Sequence, residues 1–382
     1  MNKPTIVFDI DDTICDNNYR DYENAIPFTN VIRKINVLYD AGYTVKLLTA
    51  RGMKSCNYDG KKADAKNRPT LEKWLEEKGV KYHELQFGKP LADLYIDDKC
   101  MDVQEFLIAD FKELNGGSNQ PLYQMGKYVK KYFKTEDEVK SLKCWQFIAS
   151  RLGINTPKII SSCYNSAVIE FVPGRPLSKD FNLDDFYKIV NTILIFKECQ
   201  GPLYIAKNGY NSAKLRHHGE KLVERIKKVE YWSDFEEEEL EVLKELEPYY
   251  FRCLCILDDY SEKILHESSF SHGDYTLSNM IKNDDGIHLI DIRYDSNNTS
   301  YLYDFAKLRM SISGWCYRDE LLTIYLDEIL KSLGIYEVVI VLNLMYILRL
   351  YRYQKDDING LKKMLKMVKE LEVKNARLFR SK

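Results

Sequence analysis

Asp9 and Asp11 stand two residues apart where a short apolar run, Thr5 to Phe8, gives way to a polar loop. At the end of a buried strand both carboxylates can project into one pocket. There an unprotonated carboxylate can attack phosphorus, while its neighbour gives a proton to the leaving oxygen and later takes one from water. Two anions beside a phosphate dianion repel strongly, so a cation is needed. Magnesium suits, because it takes oxygen ligands and keeps part of its shell for water and substrate. Far downstream, His272-Gly273-Asp274 is followed by Asn279 and then by Asp291 at the end of Leu289-Ile290. A carboxylate, an amide shortly after it and a second carboxylate ending a short apolar strand meet the needs of phosphoryl transfer from ATP: positioning, magnesium and a base near the acceptor hydroxyl.

The first pattern extends along the chain. Thr49 in Leu47-Leu48-Thr49-Ala50-Arg51, Lys89 in Gly88-Lys89-Pro90 and Asp97-Asp98 in Tyr95-Ile96-Asp97-Asp98-Lys99 follow in order, each at a strand end or adjoining loop. With Asp9-Ile10-Asp11-Asp12-Thr13 they resemble the haloacid dehalogenase (HAD)-type phosphatases, especially a capless subset similar to capsule-biosynthesis phosphatases. The resemblance covers about the first hundred residues. It implies that Asp9 is the nucleophile, Asp11 the general acid and base, and Thr49 and Lys89 the groups on the substrate phosphate. It further implies that Asp9, the Asp11 carbonyl and the acidic pair Asp97 and Asp98 bind magnesium. About forty residues separate Asp9 from Thr49 and about forty separate Thr49 from Lys89, which leaves no room for an inserted lid domain. Either the substrate is large or something else covers the site.

The downstream set resembles the aminoglycoside phosphotransferase and choline/ethanolamine kinase superfamily, a branch of the protein-kinase-like fold. The resemblance implies Asp274 as catalytic base, Asn279 and Asp291 as the holders of magnesium, and ATP as the phosphoryl donor. It assigns Gly116 and Gly117 to the loop over the nucleotide phosphates, where glycine lets backbone approach closely. Lys131, in Tyr128-Val129-Lys130-Lys131-Tyr132-Phe133, falls to the ATP phosphates and Glu138 to the ion pair with that lysine. Strand alternation puts Lys130 on the opposite face, and Lys130 stays as the alternative. Glu170 to Val172 become the hinge at adenine, and Asp304 a carboxylate supporting the catalytic loop. Asp291 is followed by Ile292-Arg293 where protein kinases have Phe-Gly, and the stretch from Asp291 to Asp304 is too short to dock a peptide. The expected acceptor is therefore a small molecule. Tyr294, Tyr301, Trp315 and Tyr317 could wall a choline-like cation, although core packing is the preferred reading in a chain with 28 tyrosines. Asp295 or Asp319 could recognise an amine or hydroxyl.

These residues need elements to hold them. Thr5 to Phe8 predicts a buried strand, Phe28 to Asp40 a helix ended near Gly42, Thr44 to Leu48 a second strand, Arg68 to Lys78 a helix stopped by Gly79, and Leu94 to Ile96 a further strand. Strands separated by helices predict a parallel sheet with right-handed crossovers. Ligands bind beyond the carboxyl ends of such strands, where Asp9, Thr49 and Asp97 fall. Glu105 to Leu114 then leads into the turn cluster Asn115 to Asn119. Strand-like composition from Tyr123 to Phe133, a helix over Glu136 to Leu152, strands over Pro157 to Ser161 and Ala167 to Phe171, and mostly helix from Leu183 onward complete the reading. The expected fold class is α/β, a Rossmann-like parallel-sheet domain over residues 1–103. A bilobal protein-kinase-like α+β domain over residues 104–382 follows, with its small lobe at about 104–173 and its helical large lobe at about 174–382.

The 382 residues suggest two or three domains. A formal net charge of -2 argues against a nucleic-acid footprint, so small molecules are the expected partners. Nine cysteines without a C-x-x-C pair indicate neither a metal nor a disulfide framework. The start leaves no room for a signal peptide, and the apolar run Val338 to Leu348, interrupted by Asn343, reads as a buried helix. A cytoplasmic location follows as an expectation. The acidic run Glu236 to Glu239 reads as the solvated first turn of a helix. Two phosphate-handling patterns in one chain imply a bifunctional enzyme. Acting on the same position they would merely hydrolyse ATP, so they are expected to work at different positions or on consecutive intermediates of a sugar, polyol or amino alcohol. The capsule-phosphatase resemblance points to surface-polysaccharide precursors. The rival readings are one activity with the other domain a regulatory nucleotide- or phosphate-binding module, and a nucleotide-binding scaffold.

Overall fold

The computed structural model describes residues 3–16, 21–92, 99–114, 121–199, 236–260, 263, 264, 267, 269–292, 300–350, 354 and 357–380. The chain divides into two compact units, one of Met1–Val139 with Lys158–Phe171 and one of Lys140–Pro157 with Val172–Lys382. The expected strand at Leu94 to Ile96 and the turn cluster from Asn115 lie outside the described residues.

The first unit begins with β1 (Thr5–Phe8), β2 (Cys15–Asp16), β3 (Ile26–Pro27), α1 (Thr29–Asp40), β4 (Thr44–Thr49), α2 (Gly60–Glu77) and β5 (Glu84–Phe87). β1, β4 and β5 form a parallel sheet in the order β1-β4-β5, and β2 pairs with β3 as a small antiparallel ribbon. α1 forms because Val31, Ile32, Ile35 and Leu38 fall on one stripe and are buried. Burial of each such side chain is worth about 2 kcal/mol. α2 starts eight residues before the expected Arg68. Asp59 caps it, its carboxylate accepting from the N–H groups of Lys61 and Lys62 at 3.0 and 3.1 Å, and Pro69 lies inside it. The core joins Phe8, Ile10 and Ile14 to Ile35, Leu47 and Trp74.

The same unit continues through α3 (Val103–Ile108), β6 (Phe111–Leu114), β7 (Leu122–Met125), β8 (Tyr128–Tyr132), β9 (Ile159–Cys163) and β10 (Ser166–Glu170), while α4 (Glu136–Arg151) begins in it and runs on into the second unit. These strands make an antiparallel sheet in the order β6-β7-β8-β10-β9. Phe106 joins the core that begins at Phe8, and Phe111 packs against it. Lys34 Nζ donates to the carbonyls of Phe106, Leu107 and Ala109 at 2.5, 3.0 and 2.7 Å, satisfying the end of a helix too short to satisfy itself. Tyr43 packs edge-on against Phe111 and Tyr123.

The second unit holds α5 (Leu183–Glu198), α6 (Glu237–Asp259), β11 (Arg175–Pro176), β12 (Met280–Asn283), β13 (Gly286–Leu289), α7 (Tyr301–Ile312), α8 (Glu320–Ser332), α9 (Tyr336–Arg349) and α10 (Ile358–Lys374). α9 is buried from Val338 through Leu348. Asn343, the amide in that run, is bonded at both ends. Asn343 Oδ1 accepts from Arg309 Nη1 at 3.0 Å, and its Nδ2 donates to the Ala306 carbonyl at 3.0 Å. Arg309 also forks onto Asp327 at 2.7 and 3.0 Å, so a charge inside the helix layer is fully engaged. At the start of α6 the acidic residues do not all face water. Glu239 is buried, and its carboxylate accepts from the Glu236 N–H at 3.1 Å, because an N-terminal turn needs acceptors for its free N–H groups. Among the described residues no helix is long and apolar enough to cross a membrane, and all nine cysteines are unpaired.

Candidate active sites

In the first unit, burial alternates along β4 so that Val45, Leu47 and Thr49 face inward, and Thr49 ends the strand. β1 runs parallel to β4 with Phe8 opposite Leu47, which brings Asp9 to the same sheet end as Thr49. Lys89 is tied to that end twice. Its N–H donates to the Thr49 carbonyl at 3.1 Å, and its ammonium pairs with Asp9 Oδ2. Asp9 Oδ1 accepts from the Ile10 N–H at 2.8 Å. Asp9, Thr49 and Lys89 therefore meet. Asp97 and Asp98 lie outside the described residues, and among the described residues no group of three metal-binding side chains forms.

Asp11 joins the cluster through a residue to which the sequence reading assigns no role. Arg51 Nε donates to Asp11 Oδ1 and Oδ2 at 3.0 and 3.1 Å, and Nη2 lies 2.9 Å from Oδ1. Nη2 also donates to Cys15 Sγ at 3.2 Å. The Arg51 N–H donates to Thr49 Oγ1 at 3.0 Å, so the loop after β4 is wound back on its own threonine. Burial pushes the Asp11 carboxyl above its usual range, against the pull of the Arg51 ion pair, which favours a proton on Asp11 at higher pH than an exposed aspartate would keep one. Burial likewise pushes the Cys15 thiol up to about 11, which favours the protonated thiol near neutral pH. A carboxylate paired with lysine beside a carboxyl whose burial favours the proton is the division of labour that acid-assisted displacement requires.

Gly52 makes this loop possible. Its φ is +78°, and a Cβ there would stand 2.1 Å from Asn67 Nδ2, which is itself held by the Ala63 carbonyl at 2.8 Å. Gly52→Ala should lower the free energy of unfolding by about 2 kcal/mol, read as a shift of the urea midpoint. An unchanged midpoint would show that the loop does not depend on this close approach.

In the second unit, His272 is fully buried and holds the catalytic-loop candidate together. Its Nε2 donates to the Ile290 carbonyl at 3.0 Å, which leaves Nδ1 to accept from the Asp274 N–H at 3.3 Å. Asp304, from the first turn of α7, accepts from the His272 and Gly273 N–H groups at 2.7 and 2.8 Å. Asn279 Nδ2 donates to the Asp274 carbonyl at 2.9 Å and to its Oδ2 at 3.2 Å, and the Asn279 carbonyl accepts from the Ile290 N–H at 2.9 Å. Asp274 and Asn279 are thereby joined, the bond to Ile290 holds the chain just before Asp291, and Asp291 takes a left-handed φ of 52°, a conformation rare outside glycine and recurrent at functional sites. Their oxygen-rich side chains suit magnesium. Lys307 is the residue that sequence reading misses here: its ammonium lies 2.9 Å from Asp274 Oδ1 and 4.3 Å from the centre of the Tyr346 ring. Lys307 follows Asp304 by three positions on α7, so helical spacing places both on one face.

Asp304→Ala leaves two buried N–H groups without that acceptor. The expected cost is about 3 kcal/mol, measured by denaturant unfolding; a loss below about a tenth of that would mean the loop holds itself.

The nucleotide-side candidates divide between the units. Lys131 lies on β8 in the buried row with Val129 and Phe133, while Lys130 is on the other face. Glu138 Oε2 accepts from the Lys134 N–H at 2.8 Å. Glu170 ends β10, its carboxylate 3.3 Å from the Lys158 N–H, and Val172 begins the stretch that returns to the second unit. Gly116 and Gly117 lie outside the described residues, as do Tyr294 and Asp295. The remaining acceptor-side candidates have structural partners. Tyr301 is buried with its hydroxyl on Glu267 Oε2 at 2.8 Å, Tyr317 packs edge-on against Phe181, the Lys363 ammonium sits 5.1 Å over Trp315, and Asp319 caps α8 through the Leu322 N–H at 2.9 Å.

No protein-family model and no curated protein matches the chain. Among solved structures, a thermostable mutant of the aminoglycoside phosphotransferase APH(4)-Ia is similar over 70% of this chain and 95% of its own, at 12% identity and a TM-score of 0.51. That share of the chain has the kinase-like α+β fold. An ethanolamine kinase from Plasmodium vivax is 17% identical over 69% of this chain and 81% of its own, with a TM-score of 0.46. An MCSG target protein from Vibrio cholerae is 28% identical over 29% of this chain and 90% of its own, with a TM-score of 0.27.

Proposed function

We propose that this chain is a bifunctional enzyme, a magnesium-dependent HAD-type phosphatase in residues 1–103 joined to an ATP-dependent kinase of a small hydroxylated metabolite in residues 104–382, acting in the cytoplasm. The kinase small lobe would be about 104–173 and the large lobe about 174–382. The observation that carries the reading is that each set of reactive residues is held by its own network: Asp9 with Lys89 and Asp11 with Arg51 in one, Asp274 with Asn279 and Lys307 in the other.

In the first site an Asp9 oxygen bonds to phosphorus as the ester P–O bond breaks, and the departing alkoxide takes the Asp11 proton. Asp11 then takes a proton from the water that cleaves the aspartyl phosphate. Lys89 and Thr49 hold the phosphate oxygens. In the second site Asp274 receives the acceptor's hydroxyl proton as that oxygen bonds to the γ-phosphorus and ADP departs. Lys131, Glu138 and the Glu170–Val172 stretch would hold ATP, with Gly116 and Gly117 over its phosphates. Magnesium, held by Asp9, the Asp11 carbonyl, Asp97 and Asp98 in one site and by Asn279 and Asp291 in the other, would neutralise phosphate charge. The acceptor class is a sugar, polyol or amino alcohol, the class that surface-polysaccharide precursors supply. Purified protein given magnesium, ATP and a panel of these compounds should form ADP with some and release phosphate from some of their phosphate esters. ADP formation without phosphate release, or the reverse, would leave a single activity; neither reaction across the panel would leave a scaffold.

A further inference from the structure

We propose that Lys307 binds the phosphoryl group that the kinase site transfers: its ammonium passes from Asp274 to a γ-phosphate oxygen as ATP binds and offsets that group's charge during transfer. This rests on the kinase reading of Asp274. The placement comes from α7. Lys307 Nζ lies 2.9 Å from Asp274 Oδ1, and the two side chains are only 15% and 14% exposed. Asp304, one turn earlier, accepts from the His272 and Gly273 N–H groups at 2.7 and 2.8 Å. One helix therefore fixes both the loop that presents Asp274 and the lysine that meets it. Tyr346 steadies the ammonium from another side, buried, with its ring centre 4.3 Å away. Attraction to the ring face spends none of the three N–H donors of a lysine, so the ammonium can change its anion and keep its aromatic support.

Reaction geometry brings the phosphate to this lysine. An acceptor hydroxyl lies about 3 Å from its base, and its oxygen about 3–3.5 Å from the phosphorus it attacks. The γ-phosphate oxygens therefore come within reach of a flexible four-carbon side chain whose charge already sits at the base. Charge favours the exchange, because the γ-phosphate is the most highly charged of the three and outcompetes a single carboxylate for an ammonium. Asp274 is held on both oxygens, Oδ1 by Lys307 and Oδ2 by Asn279 Nδ2 at 3.2 Å. Departure of the ammonium opens Oδ1 to the acceptor's O–H. In the transfer the acceptor oxygen bonds to the γ-phosphorus while the bond to the β,γ-bridging oxygen breaks. The hydroxyl proton goes to Asp274, ADP leaves with the electron pair, and Lys307 keeps its proton throughout.

The test uses the full-length protein with magnesium and two probes, AMP-PNP, which carries a γ-phosphoryl group that is not transferred, and ADP, which lacks one. Calorimetry gives both dissociation constants. Lys307→Met should weaken AMP-PNP by about tenfold and leave ADP within about twofold of wild type. Lys307→Gln should do the same without placing an apolar chain beside Asp274. Lys307→Arg keeps the charge and should hold AMP-PNP within about threefold. Retained ADP binding is the check that the site is folded. Unchanged constants for both nucleotides in Lys307→Met and Lys307→Gln, or equal losses for both, would overturn the proposal and leave Lys307 a structural partner of Asp274, with the kinase reading intact. A loss in Lys307→Arg as large as in Lys307→Met would overturn charge as the cause. Binding of neither nucleotide to the wild-type protein would instead overturn the kinase reading, and the role of Lys307 with it.

Discussion

Asp9→Asn should abolish phosphate release, by about a thousandfold or more, while ADP formation stays within about twofold of wild type. The amide keeps the volume and can still accept from Ile10, but it cannot form the acyl phosphate. Fold damage is a small risk, since the lost charge pair with Lys89 is partly exposed, at 17% and 32% for the two side chains, where ion pairs contribute little to stability. A residual rate above about a tenth of wild type would remove Asp9 from the nucleophile's place. The pH profile adds a second reading. Burial raises Asp11, so its acid form persists to higher pH, and the alkaline limb of phosphate release should lie above the usual carboxylate range.

The reciprocal substitution, Asp274→Asn, should cut ADP formation by about a hundred- to ten-thousandfold, the range spanned by loss of a general base, with phosphate release within about twofold of wild type. Two causes could produce such a loss, and they can be told apart. In the proposed reaction Asp274 would face the acceptor, and in the structure it pairs with Lys307 at 2.9 Å. If the broken ion pair alone mattered, Lys307→Met would match it. We expect Lys307→Met to cost about tenfold and to leave the steep dependence on Asp274 in place. Equal losses in the two variants would reassign Asp274 from base to structural anion.

Much of the scaffold is readable from the chain because apolar spacing and burial coincide. Val45, Leu47 and Thr49 alternate cleanly into the core of β4, and α9 is buried all round as its composition demands. Where the pattern thins, reading fails for a physical reason. β5 buries only Leu85 among Glu84, Leu85, Gln86 and Phe87, too little alternation to mark a strand. The first turns of α2 bury only Ala63, so the apolar stripe is silent and the Asp59 cap is the sole signal. The candidate carboxylates stand out in the sequence because motif and strand end coincide. Arg51 and Lys307 are not, because their importance lies in partners forty and thirty-three positions away, Asp11 and Asp274, and pairing at that distance exists only once the chain is folded.

The path of the chain between its two units bears on how the two candidate sites can be taken apart. The backbone passes from one unit to the other after residues 139, 157 and 171. No single scission can therefore release either unit whole. A fragment ending at residue 103 would also strand Lys34 without the carbonyls of Phe106, Leu107 and Ala109 and strip Tyr43 of Phe111 and Tyr123. Dissection by truncation or limited proteolysis would damage both halves at once, so the genetics of this protein must be done with point substitutions in the intact chain.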